Sequence, residues 1–134
     1  MSEFRRVTDQ FSVAPQLRLD DLARAAQQGF VLVINNRPDG EAPDQPSSVE
    51  VAEAAEAAGM AYAYVPVVGG PTRAQAEAVR EAIIEANGPV LAFCRSGTRS
   101  INTWALGEAL AGAPPAELVA AGAQAGYDLR ALLG

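Results

Sequence analysis

The residues able to do chemistry are concentrated in one stretch, "VLAFCRSGTRS" at residues 90–100, where an apolar run ends at the only cysteine, Cys94, and turns into a polar loop. Two arginines, a glycine and three hydroxyls fill the six residues that follow. A free cysteine closing an apolar strand is ordinarily a core residue, but a buried strand end has no packing use for such a set of neighbours. Gly97 permits an unusual backbone turn, and a helix starting just beyond it would direct its unpaired N–H groups back at the loop. An anion seated there would meet the helix N-terminus, Arg95 or Arg99, and the hydroxyls. The same field favours thiolate over thiol, and comparable surroundings lower a cysteine pKa from about 8.5 by one to several units. Cys94 and Arg99 are thus the candidate catalytic residues, and Arg95, Ser96, Gly97, Thr98 and Ser100 the candidate anion-binding loop.

Absences in the composition narrow that chemistry. The chain has no histidine and no lysine. Ser-His-Asp triads, Cys-His pairs, imidazole metal sites and Schiff bases are excluded. With no second sulfur and no spacing suited to an all-oxygen site, neither a metal nor a cofactor is expected. A formal charge of -6 and a pI near 4.5 argue against binding duplex nucleic acid or an anionic membrane surface. One cysteine cannot close an internal disulfide, and the start "MSEFRRVTDQ" lacks the apolar core of a signal peptide. No apolar run approaches the roughly 18 residues of a membrane span. The expectation is one cytoplasmic domain, residues 1–134, without nucleic acid or membrane partners.

The elements that must position Cys94 repeat one grammar: a helix-forming stretch, a glycine, then a short apolar run. "LDDLARAAQQG" leads into "FVLVINN", "SSVEVAEAAEAAG" into "MAYAYVPV", and "RAQAEAVREAIIEANG" into "PVLAFC". Gly29, Gly59 and Gly88 fit the left-handed position just past a helix end. Ser47 with Glu50, and Thr72 with Gln75, have capping-box spacing. Strands are predicted at residues 30–35, 61–66 and 89–94, near-continuously apolar as strands covered on both faces by helices should be. "FRRVTDQFSVA" reads as an edge strand or two. Beyond Arg99 the chain reads as helical, with Pro114 or Pro115 opening its second piece. The fold expected is a three-layer α/β sandwich with a mostly parallel four- or five-stranded sheet and a C-terminal helical cluster.

In such sheets ligands bind beyond the carboxyl ends of the strands. There the first strand delivers Asn36, Arg37 and Asp39 as possible pocket residues, with Arg37 and Asp39 either bordering the pocket or pairing as a loop clasp. The long loop at residues 35–48 is a candidate wall. Trp104, Tyr62 and Tyr64 read as packing residues. Glu50, Glu53, Glu56, Glu77, Glu81 and Glu85 read as solvated helix faces.

"CRSGTRS" resembles the active-site loop of rhodanese-type sulfurtransferases and, more loosely, the phosphate loop of tyrosine and dual-specificity phosphatases. With "GFVLVINNRPDGEAPDQPS" and "AAGMAYAYVPVVGG" before it, the chain looks like the bacterial phosphatase-like domain family of beta-lactamase-hydrolase-like proteins. That resemblance implies a tyrosine-phosphatase-like fold and either sulfurtransferase or phosphatase activity. It also implies a separate metallo-hydrolase-like, sulfur-oxidising partner.

Two features favour sulfur. Four residues separate Cys94 from Arg99, where tyrosine phosphatases have five, so the cradle is smaller. The loop "PVVGGPT", where those enzymes carry the general acid, has no acid, since no Asp or Glu occurs between Glu56 and Glu77. Phe93 stands where a histidine usually precedes the phosphatase cysteine. Asp39 or Asp44 folding over the site would be a substitute acid. The leading expectation is a sulfurtransferase passing sulfur from a small anionic donor such as thiosulfate through a Cys94 persulfide. A phosphatase acting on a phosphorylated substrate through a phosphocysteine, and a non-enzymatic anion-binding module, are the alternatives.

Overall fold

The computed structural model describes residues 3–133. Five strands, β1 Arg5–Arg6, β2 Phe11–Ala14, β3 Leu32–Asn35, β4 Ala61–Tyr64 and β5 Val90–Phe93, form one mixed sheet in the order β1-β2-β5-β3-β4. β1 runs antiparallel to β2, and the other pairings are parallel. The helices are α1 Asp21–Gln27, α2 Ser48–Ala57, α3 Arg73–Glu85, α4 Thr98–Leu110, α5 Pro115–Gln124 and α6 Arg130–Leu133.

Side chains alternate faces along a strand, and here each face has its own core. Phe11, Val13, Leu32, Ile34, Val90 and Ala92 point to one side, where they pack with Val79 of α3, Ile101, Trp104 and Ala105 of α4, and Leu118 of α5. Val33, Leu91 and Phe93 point to the other, against Leu22 and Ala25 of α1 and Val51 and Ala55 of α2. The result is the expected three-layer sandwich, its C-terminal helices on one side. Trp104 is core, stacked on Phe11 with ring centroids 5.7 Å apart.

Both capping boxes are present, at Ser47 with Glu50 and at Thr72 with Gln75, and Pro115 opens α5. Gly29 and Gly59 have φ of +97° and +86° as expected. Gly88 does not, because α3 ends earlier at an extended Ala86; a Cβ at Gly88 would lie 3.1 Å from Val31. β2 is an interior strand rather than an edge. β4 is the opposite case: it is the sheet edge and half-exposed, not covered on both faces. Its tyrosines anchor polar groups instead of merely packing. Tyr62 Oη meets Asn35 Nδ2 at 3.1 Å and Ser48 Oγ at 2.6 Å, and Tyr64 Oη accepts the Asp39 N–H at 2.9 Å. The six helix glutamates are exposed. Among the described residues no helix is long and apolar enough to cross a membrane.

Candidate active site

β5 lies between β2 and β3, all three parallel, with Ala14 and Asn35 both registered on Phe93. Their carboxyl ends therefore open on the same sheet edge, and the segments after them meet around Cys94. The Asn36 N–H donates to Phe93 O at 2.8 Å, and the Gln16 N–H donates to Arg95 O at 3.2 Å.

The loop after β5 is held from outside. Tyr127 Oη donates to Ser96 O at 2.8 Å, so the carbonyls of Arg95 and Ser96 both face away from the site. The N–H groups of Arg95 and Ser96 are left without a partner among the described residues. Gly97, the residue capping α4, has φ +90°, and its N–H donates to Cys94 Sγ at 3.1 Å. A side chain at 97 has no room, because a Cβ would lie 2.1 Å from Tyr127 Oη. Ser96 Oγ donates to Thr98 Oγ1 at 3.0 Å, closing the loop on itself. The sulfur thus sits where backbone donors and the positive end of a helix converge. Cys94 itself has no exposed surface.

Arg99 reaches over this loop from the first turn of α4. Its Nη1 donates to Val67 O at 2.9 Å, on the connection between β4 and α3. The rest of the guanidinium fork is taken by Glu41: Nη1 to Oε2 and Nη2 to Oε1, both at 2.8 Å. Arg37, only 6% exposed, donates from Nε to Glu41 Oε1 at 3.0 Å and from Nη1 to Gln16 Oε1 at 2.9 Å. The hydrogen bond from Arg99 holds the Glu41 carboxyl far below its ordinary value, at about 2, with Arg37 adding to the effect. Arg99 is shifted up, first by Glu41 and also by the charge of Cys94.

Glu41 contributes stability in a definite pH window. Its carboxyl is more acidic folded than unfolded, so the contribution is full above its ordinary 4.5 and fades as pH falls toward about 2. Glu41→Gln is expected to lower stability by a constant amount above about pH 4.5 and to converge with wild type as pH falls toward about 2, so that its stability changes less steeply across that window. An identical curve for the two proteins would contradict the pairing.

The structure brings together Cys94, Arg99, Gly97 and Arg37, and it redistributes the rest. Asp39 does not pair with Arg37; its Oδ1 caps α2 by accepting the Ser48 N–H at 2.7 Å. Asp44 is exposed and lines a groove of about 610 Å³ beside the loop, with Gln16, Arg18, Arg37 and Arg95. Glu41, not Asp39 or Asp44, is the carboxylate that folds over the site. Asn36 is buried, Nδ2 donating to Val65 O at 2.9 Å and Oδ1 unpaired among the described residues. Thr98 and Arg95 are exposed, while Ser100 is buried with an unpaired Oγ in the first turn of α4.

A family model described as "Beta-lactamase hydrolase-like protein, phosphatase-like domain" matches residues 3–111. The beta-lactamase hydrolase-like protein of Agrobacterium fabrum is 43% identical over 109 residues, which is 80% of this chain. The matched part is only 25% of that relative's length. Among solved structures, a candidate phosphatase of Neisseria meningitidis Z2491 superposes with a TM-score of 0.85 at 31% identity, covering 96% of this chain and 92% of that one. Kinase-associated phosphatase, in a form with its catalytic-site cysteine replaced by serine, superposes at 0.67 over 90% and 80% of the two chains. At 12% identity the latter likeness shows the fold alone.

Proposed function

The chain belongs to the phosphatase-like domain family of beta-lactamase hydrolase-like proteins, and on that premise we propose that it is a cysteine-dependent phosphomonoester hydrolase. The observation that carries the reading is Cys94 Sγ held by the Gly97 N–H at 3.1 Å at the N-terminus of α4, with Arg99 reaching over the same loop. Cys94, as thiolate, attacks phosphorus, and the bond from phosphorus to the ester oxygen breaks with that oxygen taking the electron pair. The free N–H groups of the loop and the guanidinium of Arg99 hold the remaining oxygens as charge moves onto them. Water then attacks the phosphocysteine, releasing phosphate and regenerating the thiolate. The phosphatase relatives support this chemistry over the sulfur transfer that loop length suggests.

Proton donation to the leaving oxygen is the step for which this chain is least equipped. The connection from β4 to α3 has no acid, and Glu41 stays ionised down to about pH 2, so it carries no proton to give at neutral pH. The substrates favoured are those whose leaving group departs as an anion. Across a series of aryl phosphates, kcat/KM is expected to rise steeply as the phenol becomes more acidic, by about tenfold or more between phenyl and nitrophenyl phosphate. A flat series would point to a general acid; no turnover of any aryl phosphate would reject the hydrolase reading.

Two features of the sequence favour a second reading. A four-residue gap between Cys94 and Arg99 and an acid-free connection suit a donor that needs no protonation. With thiosulfate, the thiolate would attack the outer sulfur, sulfite would leave with the electron pair, and Cys94 would become a persulfide. A metallo-hydrolase-like protein that oxidises persulfide sulfur would be a fitting partner. Intact-mass measurement after thiosulfate treatment tests this directly. A gain of one sulfur atom, absent in Cys94→Ser, supports it, and no gain removes it.

A further inference from the structure

We infer that Glu41 is the site's resident anion and holds it closed, so that an incoming oxyanion must displace this carboxylate from Arg99 before Cys94 can be reached. The inference rests on Cys94 as nucleophile and Arg99 as anion ligand, a premise shared by the phosphoryl and sulfur readings.

Two independent observations converge. Both Nη atoms of Arg99 are engaged by the two oxygens of Glu41 at 2.8 Å, the bidentate geometry by which a guanidinium grips a carboxylate or phosphate. Glu41 thereby occupies the seat an oxyanion of the substrate would take. Separately, Cys94 is fully buried, so no reactant touches sulfur until something moves.

The segment carrying Glu41 is built to do the moving. On its N-terminal side Asp39 is pinned twice, by its N–H to Tyr64 Oη and by its Oδ1 to the Ser48 N–H. On its C-terminal side Gln45 Nε2 donates to Pro38 O at 2.9 Å. Between these anchors residues 40–44 form an irregular turn entered through Gly40 at φ +80°. It can swing without unravelling β3 or α2. The Glu41 side chain is 31% exposed, so its outward path is toward solvent. Because its charge persists to about pH 2, a competing anion rather than acidification is what displaces it.

If the open form is the minor one, every ligand's apparent affinity is reduced by the open fraction. A minor state populated at about 0.1–10% makes about tenfold the smallest gain expected when the clasp is removed. The experiment uses the full chain with a neutral and an anionic alkylating agent, reading modification of Cys94 by mass. Inorganic phosphate serves as the reversible ligand, scored by its protection of Cys94. In Glu41→Gln, alkylation by iodoacetamide and by iodoacetate are both expected to accelerate by about tenfold or more, with phosphate protecting at correspondingly lower concentration. Acceleration by iodoacetate alone would make Glu41 a source of charge repulsion and overturn the closure. Unchanged or slower alkylation by both, with weaker phosphate protection, would make it a support for Arg99 and overturn it equally.

Glu41→Asp, whose side chain is one methylene shorter, provides the second variant should the glutamine variant fail to fold by circular dichroism. It is expected to show the same changes at smaller size, and wild-type behaviour there would reject the inference. None of these readouts needs turnover. An enzyme inert toward aryl phosphates would therefore remove the proposed reaction and leave the closure standing.

Discussion

Cys94→Ser is expected to lower aryl phosphate turnover by at least about 10⁴-fold, in the range seen when a committed nucleophile is removed from other enzymes. A serine hydroxyl needs a base to become a nucleophile, and this chain has neither histidine nor lysine. The carboxylate at the site, Glu41, is bound by Arg99 and Arg37 and is too weak a base for the task. The fold should survive, since the Gly97 N–H that meets Sγ at 3.1 Å can donate to Oγ as well. Thermal melting within a few degrees of wild type, together with the rate loss, is the combination that identifies a nucleophile. A variant retaining a rate within tenfold of wild type would transfer the reaction to some other group.

Gly97→Ala should be the most damaging single methyl group that can be added near the site. The residue stands at φ +90°, a region that costs an L-residue about 1–2 kcal/mol, and the new Cβ would lie 2.1 Å from Tyr127 Oη and 3.0 Å from its Cζ. Together with displacement of the tyrosine, a destabilisation of about 2–4 kcal/mol is expected, or a fall in melting temperature of roughly 10 °C. Turnover should fall by about 10²-fold or more, because the loop N–H groups lose their aim. The collision is with a hydroxyl, so a partial cure exists: Tyr127→Phe in the Gly97→Ala background should recover part of the stability. If Gly97→Ala melts like wild type, the tyrosine is not seated against the loop as described.

The parts of this fold legible in the sequence are those governed by local chemistry. Capping boxes at Ser47 and Thr72 were readable because the bonds form between residues three apart. Likewise Cys94, Gly97 and Arg99 stand in one short loop whose residue types have no packing use. β4 was read as covered because its composition is apolar, yet position in the sheet is a property of topology, and it lies at the edge. Gly88 has the right place after a helix but serves a close approach to Val31 that no local pattern announces. Glu41 was the consequential omission. Its Arg99 partner lies on another element, beyond the reach of any spacing rule. A signal existed in Pro38-Asp39-Gly40, whose turn chemistry reverses the chain and aims the next residue back at the strand ends.

Sulfur and phosphorus were weighed from loop length and a missing acid, both of them local. The relatives weigh toward phosphorus on whole-chain similarity, which spacing within one loop does not register. Both proposed reactions place the chemistry on Cys94 and take an anion as reactant.

Tyr127 has one more consequence. The matched family stretch ends at residue 111, yet the hydroxyl that bonds the Ser96 carbonyl comes from Tyr127, and Arg5 of the first strand lies over the Tyr127 ring at 5.4 Å. Segments near the two termini thus meet directly behind the reactive loop. Arg5 and Tyr127 brace the loop jointly, and a chain cut back to the matched stretch is expected to lose the Tyr127 bond to Ser96.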